Sequence, residues 1–237
     1  MKSLKKTTRF IKRRAVKDIP INLGDSFWKE LQSFVDSITW DYKSDGKPFY
    51  IERDQACASL IILTGLRIAE VLGSSKDAPY PYYPLHKKDF TETSHEVILN
   101  RVKTEKHGEE RSNIVMPLSG ELAFFTLKFQ AWLNRVPDKN CVIFPRGRYS
   151  TQVNKPFEAY FNWNKSLDRR RYWRIVKDTL DKFPHWFRGV DETIYGRMVF
   201  GNDPFTLKEH MGVKTIEAVV PYVASTRERD LPKAYKL

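Results

Sequence analysis

The 237-residue chain contains the side-chain types needed to break a phosphodiester bond without a metal ion. That reaction requires cations that neutralise the pentavalent phosphate, a nucleophile that can hold the phosphoryl group, and an acid for the departing 5′-oxygen. Arginine suits the first task because its planar fork binds two phosphate oxygens, and lysine suits the last because it carries a transferable proton. The candidates are Arg67, His185, Arg188, His210, Tyr222 and the lysines of a predicted hairpin tip.

Each candidate also has an ordinary structural explanation. Arg67 can pair with Glu70 one helical turn on, and the hairpin lysines can simply be solvated. His210 can be a helix-end cation that complements the helix dipole, and Tyr222 can be a packed aromatic side chain. A His-x-x-Arg spacing arises readily by chance in a chain of this composition. Residue types alone therefore leave both interpretations open.

The charge balance favours a polyanionic partner. Lys and Arg number 41 against 29 Asp and Glu, which gives a net charge of +12 and a pI of about 9.6. Eight of these basic residues lie in residues 1–17, which contain no acidic residue. This N-terminal arm, with Arg13 and Arg14, is expected either to contact phosphate or to be a solvated tail. Nucleic acid and anionic membrane surfaces are the leading partner classes.

Several function classes lack their motifs. Cys57 and Cys141 lie far apart, so neither a disulfide framework nor a CxxC metal site is expected, which favours an intracellular protein. The expected location is the cytoplasm, in association with the nucleoid, or the cytoplasm of a host cell. The longest uncharged apolar stretch, residues 58–66, is too short to cross a membrane. The sequence contains no GxxxxGK[ST], GxGxxG or GxSxG pattern. We therefore expect no cofactor, no metal and no membrane partner.

Hydrophobic spacing predicts a mainly helical chain with a small antiparallel sheet. Helices are predicted over 25–38, capped by Asp25 or Ser26, over 51–73 in two parts with a corner at Thr64-Gly65, over 119–136, 155–165 and 169–182, from Pro184, from Pro204 to Gly212, and from Thr215. Residues 74–90 are predicted as a loop, 96–102 and 111–117 as a hairpin with its tip at 103–110, and 141–144 as a short apolar segment. Pro221 should break the last helix and leave Tyr222 weakly held.

One segment carries a specific resemblance. Residues 63–72 read LTGLRIAEVL, which resembles the arginine-bearing box of the tyrosine recombinases (phage integrases), usually TGLRxxEL. A hairpin lysine, an apolar VIFP strand, the box HWFR at 185–188, a histidine on a short helix and a late tyrosine follow in the family's order. The resemblance covers about residues 20–223 and implies the catalytic-domain fold of that family: α+β, mainly α, with a small antiparallel sheet.

The resemblance also implies which side chains handle the phosphate. Arg67 and Arg188 look like the clamp that neutralises it. Lys103, before the tight turn of the hairpin, looks like the general acid, and Lys106 is the alternative.

For the remaining candidates the resemblance implies proton transfer and attack. His185 resembles the residue that hydrogen-bonds the scissile phosphate, and His210 resembles the late histidine or tryptophan that binds a non-bridging oxygen. Tyr222 resembles the nucleophile, which in that family attacks DNA and leaves a 3′-phosphotyrosyl link and a free 5′-hydroxyl. Reversal onto another strand completes recombination without ATP or metal.

The chain departs from the family pattern at three places. The second arginine box reads HWFRG, where the family usually has HxLR followed by His or a similar polar residue. His210 and Tyr222 are twelve positions apart rather than the usual nine, which places Val219 in the expected slot. Nor does the sequence predict the N-terminal helical domain that in the family clasps the opposite face of DNA.

The implied organisation is a basic arm over residues 1–17 and one catalytic domain over 18–237. Duplex DNA is the implied partner, bound by a homo-tetramer on paired sites. The basic arm or an accessory DNA-binding protein would stand in place of the clasp. The candidate DNA contacts are Lys106, Arg169, Arg170, Arg171, Arg174, Lys177, Arg13 and Arg14, with a solvated basic face as the alternative. Three functions remain open: a site-specific recombinase or integrase, a catalytically silent DNA-binding protein, and a type IB topoisomerase.

Overall fold

Helices and two small antiparallel sheets make up the described part of the protein. The computed structural model describes residues 24–38, 48–73, 83–100, 103–104, 109–110, 113–144, 174, 176–178, 180, 186–213, 215–219 and 222, with the backbone alone for 48–50, 103–104 and 109–110. The helices are α1 (Asp25–Asp36), α2 (Pro48–Thr64), α3 (Ile68–Leu72), α4 (Ala123–Arg135), α5 (Trp186–Ile194) and α6 (Pro204–Met211). The strands are β1 (Phe90–Glu92), β2 (Glu96–Leu99), β3 (Lys103–Thr104), β4 (Glu109–Glu110) and β5 (Ile114–Pro117).

Helix α2 lies at the centre of the core. Residues 56–64 are buried on every side, as expected for a helix that carries no polar face. It packs against α1, α4 and α5. Helix α1 covers it with the predicted apolar face, although Gly24 occupies the N-cap position in place of the predicted Asp25 or Ser26. The central helix therefore provides the base on which the other helices lie.

The predicted corner after α2 is confirmed. Thr64 donates its hydroxyl to the Leu60 carbonyl over 2.7 Å, and Gly65 turns the chain with φ at +56°. A second helix, α3, begins one residue after Arg67 and ends before Gly73. The corner thus places Arg67 at the start of a short helix rather than within a long one.

The sheet has the order β1-β2-β5, and all pairs are antiparallel. Val97 pairs with Met116 and Leu99 with Ile114, and all four side chains are buried. The predicted hairpin is therefore confirmed over 96–99 and 114–117. Its tip carries a second two-stranded sheet in which Lys103 pairs with Glu110.

Two strand features differ from the expectation. Strand β1, which begins at the last residue of the predicted loop 74–90, was not predicted, because three residues are too few for an alternating pattern; it pairs with β2. Residues 141–144 are buried but do not join the sheet. Val142 makes one isolated bridge to His86, and the Ile143 N–H donates to the Leu85 carbonyl over 3.0 Å.

The C-terminal helices follow local signals closely. Asp203 caps α6 by accepting hydrogen bonds from the N–H groups of Phe205 and Thr206, and Gly212 ends the helix in the left-handed conformation. Helix α5 continues into a π-helical turn over Tyr195–Val199. The Tyr195 hydroxyl donates to the Val115 carbonyl over 2.7 Å, which ties this turn to β5.

Other predictions fall on fewer described residues. Of the predicted helix 169–182, residues 174, 176–178 and 180 are helical, whereas the predicted helix 155–165 lies outside the described residues. Cys57 and Cys141 are both buried and free. In the described ranges, no helix combines the length and apolar character needed to cross a membrane.

Replacing Tyr195 with phenylalanine tests the link between the π-helical turn and the sheet. Tyr195→Phe removes the hydroxyl and leaves the Val115 carbonyl without its donor, so we expect a loss of about 1 to 2 kcal/mol in the free energy of unfolding. Urea unfolding measures this loss. Tyr83→Phe, at a side chain that is 62% exposed, is the matched control and should leave the stability unchanged. Equal effects of the two variants would contradict the assignment.

Candidate active site

Helix α5 turns charged side chains toward the core. Its buried residues include Arg188, Asp191 and Glu192 beside the apolar Phe187 and Val190. Charged side chains are almost never fully buried unless they are paired. In this protein Arg188 and Glu192 pair within the helix, and further contacts come from segments that lie far apart in the sequence.

Arg188 lies at the centre of this group and is only 8% exposed. Its Nε donates to Oε1 of Glu192, one helical turn on, over 3.0 Å, and its Nη2 donates to the Met211 carbonyl over 3.2 Å. Met211 is the last residue of α6, where the helix dipole favours a cation. Arg188 therefore joins α5 to the end of α6.

Tyr222 reaches the same group from the C-terminal segment. Its hydroxyl lies within hydrogen-bond reach of the Glu192 carboxylate. Its ring lies over α5, because a Cβ added to Gly189 would be 3.8 Å from the ring atom Cε1. Its N–H donates to the Val219 carbonyl over 2.9 Å. The prediction of a weakly held Tyr222 was therefore wrong: both its side chain and its backbone have partners.

Burial and neighbouring charges shift the pKa values of Glu192 and Tyr222. Removal from water raises the pKa of Glu192 to about 7; Arg188 and the hydrogen bond from Tyr222 oppose the rise, and the Asp191 carboxylate adds to it. Burial also raises the pKa of the Tyr222 hydroxyl, and the charge of Glu192 raises it further. At neutral pH Tyr222 is therefore a phenol, and Glu192 lies between its two protonation states.

Asp191 faces a different neighbour, His210. Its Oδ2 lies 3.4 Å from His210 Nε2, an ion-pair distance beyond that of a good hydrogen bond. Among the described residues, neither oxygen of Asp191 has a hydrogen-bond partner. The His210 ring stacks on Tyr195 with the centroids 4.1 Å apart. His210 therefore lies at ion-pair distance from a buried carboxylate that has no hydrogen bond among the described residues.

The corner that precedes Arg67 packs directly on Asp191. A Cβ added to Gly65 would lie 2.3 Å from Oδ2 of Asp191, closer than real Cβ atoms approach their neighbours. The positive φ of Gly65 is also a conformation that glycine adopts without strain. Glycine is therefore needed here for two reasons, and its close approach places the segment that carries Arg67 beside α5.

Arg67 pairs with Glu70, as the ordinary interpretation of the sequence allowed. The Arg67 N–H donates to Oε2 of Glu70 over 2.5 Å, and Nη1 lies 3.5 Å from Oε1. The side chain of Arg67 is nevertheless 46% exposed. Its guanidinium thus remains accessible to a ligand from solvent while Glu70 holds it near the start of α3.

The predicted catalytic residues are only partly described. Arg188 and Tyr222 meet at Glu192, whereas Arg67 and His210 approach the group through Gly65 and Asp191. Lys103 lies in β3, where the backbone alone is described, and His185 lies outside the described residues. The roles implied for these six residues remain predictions.

The predicted DNA contacts lie mostly outside the described residues: Lys106, Arg169, Arg170, Arg171, Arg13 and Arg14. Arg174 is exposed and Lys177 half-buried, while Val176 between them is fully buried. This stretch therefore presents an apolar side to the core and places Arg174 at the surface. Within the described ranges, no group of three His, Cys, Asp or Glu side chains could hold a metal ion.

Sequence reasoning missed Asp191 and Glu192, although signals for both were present. Glu192 follows Arg188 at the spacing of one helical turn, which is typical of an ion pair. Asp191 follows Phe187 by four residues, in the stripe where another apolar side chain is expected. In the family, the late histidine or tryptophan usually lies nine positions before the tyrosine. Nine positions before Tyr222 is Val213, not His210.

Comparisons with known proteins identify the fold. No protein-family model matches the sequence, and comparison with curated proteins gives no match. The XerH site-specific recombinase, in a post-cleavage complex with palindromic difH substrate, superposes with a TM-score of 0.55 and 16% identity, covering 92% of this chain and 54% of XerH. The pre-cleavage complex of XerH with difH superposes with a TM-score of 0.54 and 15% identity, covering 90% of this chain and 53% of XerH. The Tn1549 transposon integrase in complex with circular intermediate DNA superposes with a TM-score of 0.42 and 15% identity, covering 91% of this chain and 69% of the integrase chain.

The chain therefore has the fold of a site-specific recombinase and spans about half the length of XerH. The fold class predicted from the resemblance to tyrosine recombinases, mainly helical with a small antiparallel sheet, is confirmed.

Adding a methyl group at Gly65 tests the contact between the corner and α5. Gly65→Ala forces a Cβ against the buried Asp191, whereas Gly201→Ala has the same φ of +56° and open space around it. Backbone strain is therefore equal in the two variants. We expect Gly65→Ala to lower the free energy of unfolding by about 1 to 3 kcal/mol more than Gly201→Ala, as measured by urea unfolding. Equal losses would show that the contact is absent.

The raised pKa of Glu192 predicts how stability depends on pH. The folded state binds this proton more tightly than the unfolded state, so Glu192 makes the protein less stable as pH rises from about 4.5 to about 7. The total contribution is at most about 3 kcal/mol. Urea unfolding at several pH values should show this decline in the wild type, and Glu192→Gln should flatten it. An unchanged slope in the variant would contradict the shift.

Proposed function

We propose that the protein breaks and rejoins duplex DNA through a 3′-phosphotyrosyl intermediate, with Tyr222 as the nucleophile. The observation that carries the proposal is the meeting of Tyr222 and Arg188 at Glu192. A hydroxyl nucleophile and a phosphate-binding cation are the two groups that this reaction needs side by side. The fold supports the same reaction, because XerH is a site-specific recombinase seen before and after cleavage of its DNA substrate.

In the proposed step, the Tyr222 oxygen attacks a DNA phosphorus and the bond from phosphorus to the 5′-oxygen breaks. Arg188 and the exposed Arg67 neutralise the phosphate as its charge grows, since a planar guanidinium matches two phosphate oxygens. Lys103 gives the leaving oxygen a proton, with Lys106 as the alternative donor. Attack by the 5′-hydroxyl of another strand reverses these steps and completes strand exchange.

The charge of the chain supports duplex DNA as the partner. A net charge of +12 favours a polyanion, and Arg174 adds a cation at the surface of the described fold. Further phosphate contacts would come from the basic arm and from the predicted contacts at 169–171. Because each neutralised phosphate releases counterions, the affinity for DNA should fall as the salt concentration rises. We further propose a homo-tetramer on paired sites, acting in the cytoplasm, with an accessory protein in place of a clasp.

Covalent capture tests the proposal even though the target sequence is not known. The protein is incubated, without metal, with a pool of nicked duplexes of randomised sequence. The nick releases a short fragment after cleavage, so the covalent intermediate cannot reverse. We expect a protein–DNA adduct on a denaturing gel, and sequencing of the captured DNA identifies the site. Tyr222→Phe should abolish the adduct, whereas Tyr83→Phe should not.

Arginine variants test the clamp on the captured duplex. Arg188→Ala should slow adduct formation about 10²- to 10³-fold, because a cation aimed at the transition state is lost. Arg135→Ala is the matched control, since Arg135 is half exposed and pairs with Glu52 on the surface. DNA binding is measured separately by gel shift. Loss of binding with unchanged cleavage of the bound DNA would contradict the role of Arg188.

The adduct assay together with a supercoil-relaxation assay separates the other two functions. A protein that binds DNA but forms no adduct with any duplex is a silent binder. One that relaxes supercoiled DNA without exchanging strands is a topoisomerase. Either outcome would replace the proposed recombinase.

A further inference from the structure

Glu192 is placed to do more than neutralise Arg188. Its carboxylate is buried within α5: Oε1 accepts a hydrogen bond from the Arg188 Nε over 3.0 Å, and Oε2 has no hydrogen-bond partner among the described residues. The Tyr222 hydroxyl lies within reach of this carboxylate. It is therefore in direct contact with the proposed nucleophile and with one of the proposed phosphate-binding cations. The mechanism described so far uses neither of these contacts.

The proposed reaction needs an acceptor for the Tyr222 proton. A phenol is a weak nucleophile until its proton leaves, and burial keeps Tyr222 in the phenol form at neutral pH. The proton must therefore move as the bond to phosphorus forms. A general base has to lie within hydrogen-bond reach of that proton, and Glu192 meets this condition.

We propose that Glu192 is the general base that takes the phenolic proton of Tyr222 during attack on DNA. This inference rests on the proposed function. In the step, the Tyr222 oxygen bonds to phosphorus, its proton passes to the Glu192 carboxylate, and the 5′-oxygen leaves with a proton from the general acid. On reversal, the neutral Glu192 returns the proton to the phenol oxygen.

The same proton transfer weakens the ion pair between Glu192 and Arg188. An ionised Glu192 attracts the guanidinium, and a protonated Glu192 loses most of that attraction. The proton arrives as negative charge builds on the phosphate. Arg188 is thus released from its carboxylate partner at the moment when the phosphate needs a cation.

The charges around Glu192 suit this exchange. Among the described residues, Arg188 and Asp191 act on it from its own helix and Tyr222 from the C-terminal segment. His210, on α6, faces Asp191 instead, and Arg67, beside the corner, pairs with Glu70. The resulting pKa of about 7 lets the carboxylate accept and return a proton near neutral pH.

The contact can be tested without DNA. Tyr222 is replaced by 3-fluorotyrosine, and its fluorine NMR signal is followed between pH 5 and 9. We expect a shift with a midpoint near pH 7 that reports ionisation of Glu192 and disappears in Glu192→Gln. Glu217→Gln, an exposed carboxylate five residues before Tyr222, should leave it unchanged. A signal without this transition, or one that persists in Glu192→Gln, would overturn the inference.

Adduct formation on the captured duplex then tests the base. Glu192→Gln keeps an acceptor for Arg188 but cannot take a proton, so we expect the single-turnover rate to fall about 10²-fold or more and to lose its rise through pH 7. With the more acidic 3,5-difluorotyrosine at position 222, this defect should shrink, because a better-ionised phenol needs less help. A defect of constant size would show that Glu192 only positions Arg188, and would overturn the inference.

A second variant covers the case in which Glu192→Gln does not fold, which circular dichroism detects. Glu192→Asp keeps the charge but withdraws the carboxylate by one methylene group, so it should also slow adduct formation. A wild-type rate in either variant would overturn the role of Glu192 and leave the proposed function intact. If the wild type forms no adduct at any pH, the proposed function fails and this inference fails with it.

Discussion

The need to pair buried charges on α5 organises the site. Isolated charges are costly in a protein interior, and removing one partner of a buried pair leaves the other uncompensated. Arg188 and Glu192 pair with each other within α5, and the charged residues of this helix also gain contacts from other segments. Arg188 donates to the Met211 carbonyl at the end of α6, and Glu192 lies beside the Tyr222 hydroxyl. Asp191 packs against Gly65 in the corner before α3 and lies beside His210. The requirement for pairing is what draws these distant segments together.

Two adjacent carboxylates have different surroundings because successive residues of an α-helix point in different directions. Asp191 faces an imidazole, while Glu192 faces a guanidinium and a phenol. Neighbouring groups with different environments are how proteins assign separate tasks to the same type of side chain. Glu192 is the one beside Tyr222, the proposed nucleophile, and Asp191 is the one that connects α5 to the Arg67 segment through Gly65.

Local signals predicted the parts of the structure that local chemistry decides. Gly65 marked the corner, and Asp203 with Gly212 marked both ends of α6, since each acts within a few residues of itself. Strand β1 escaped detection because it exists only through its pairing with β2. The burial of Glu192 was not predicted either, because a carboxylate in a helix is normally solvated and Tyr222, which lies beside it, is thirty residues further along the chain. The order of boxes along the chain predicted the fold and brought Arg188 and Tyr222 into one hypothesis, but it could not show what joins them.

Glu192 and the Met211 carbonyl keep the buried Arg188 hydrogen-bonded and fixed in direction. In the proposed mechanism, a phosphate oxygen takes the place of the carboxylate, because both are anionic acceptors and a guanidinium binds either through the same N–H groups. The phosphate would then compete with Glu192 for the cation, which would weaken binding of any phosphate that does not also draw a proton onto Glu192. Since the proposed nucleophile Tyr222 would supply that proton only when its oxygen bonds to phosphorus, the arrangement would favour the transition state over the bound substrate.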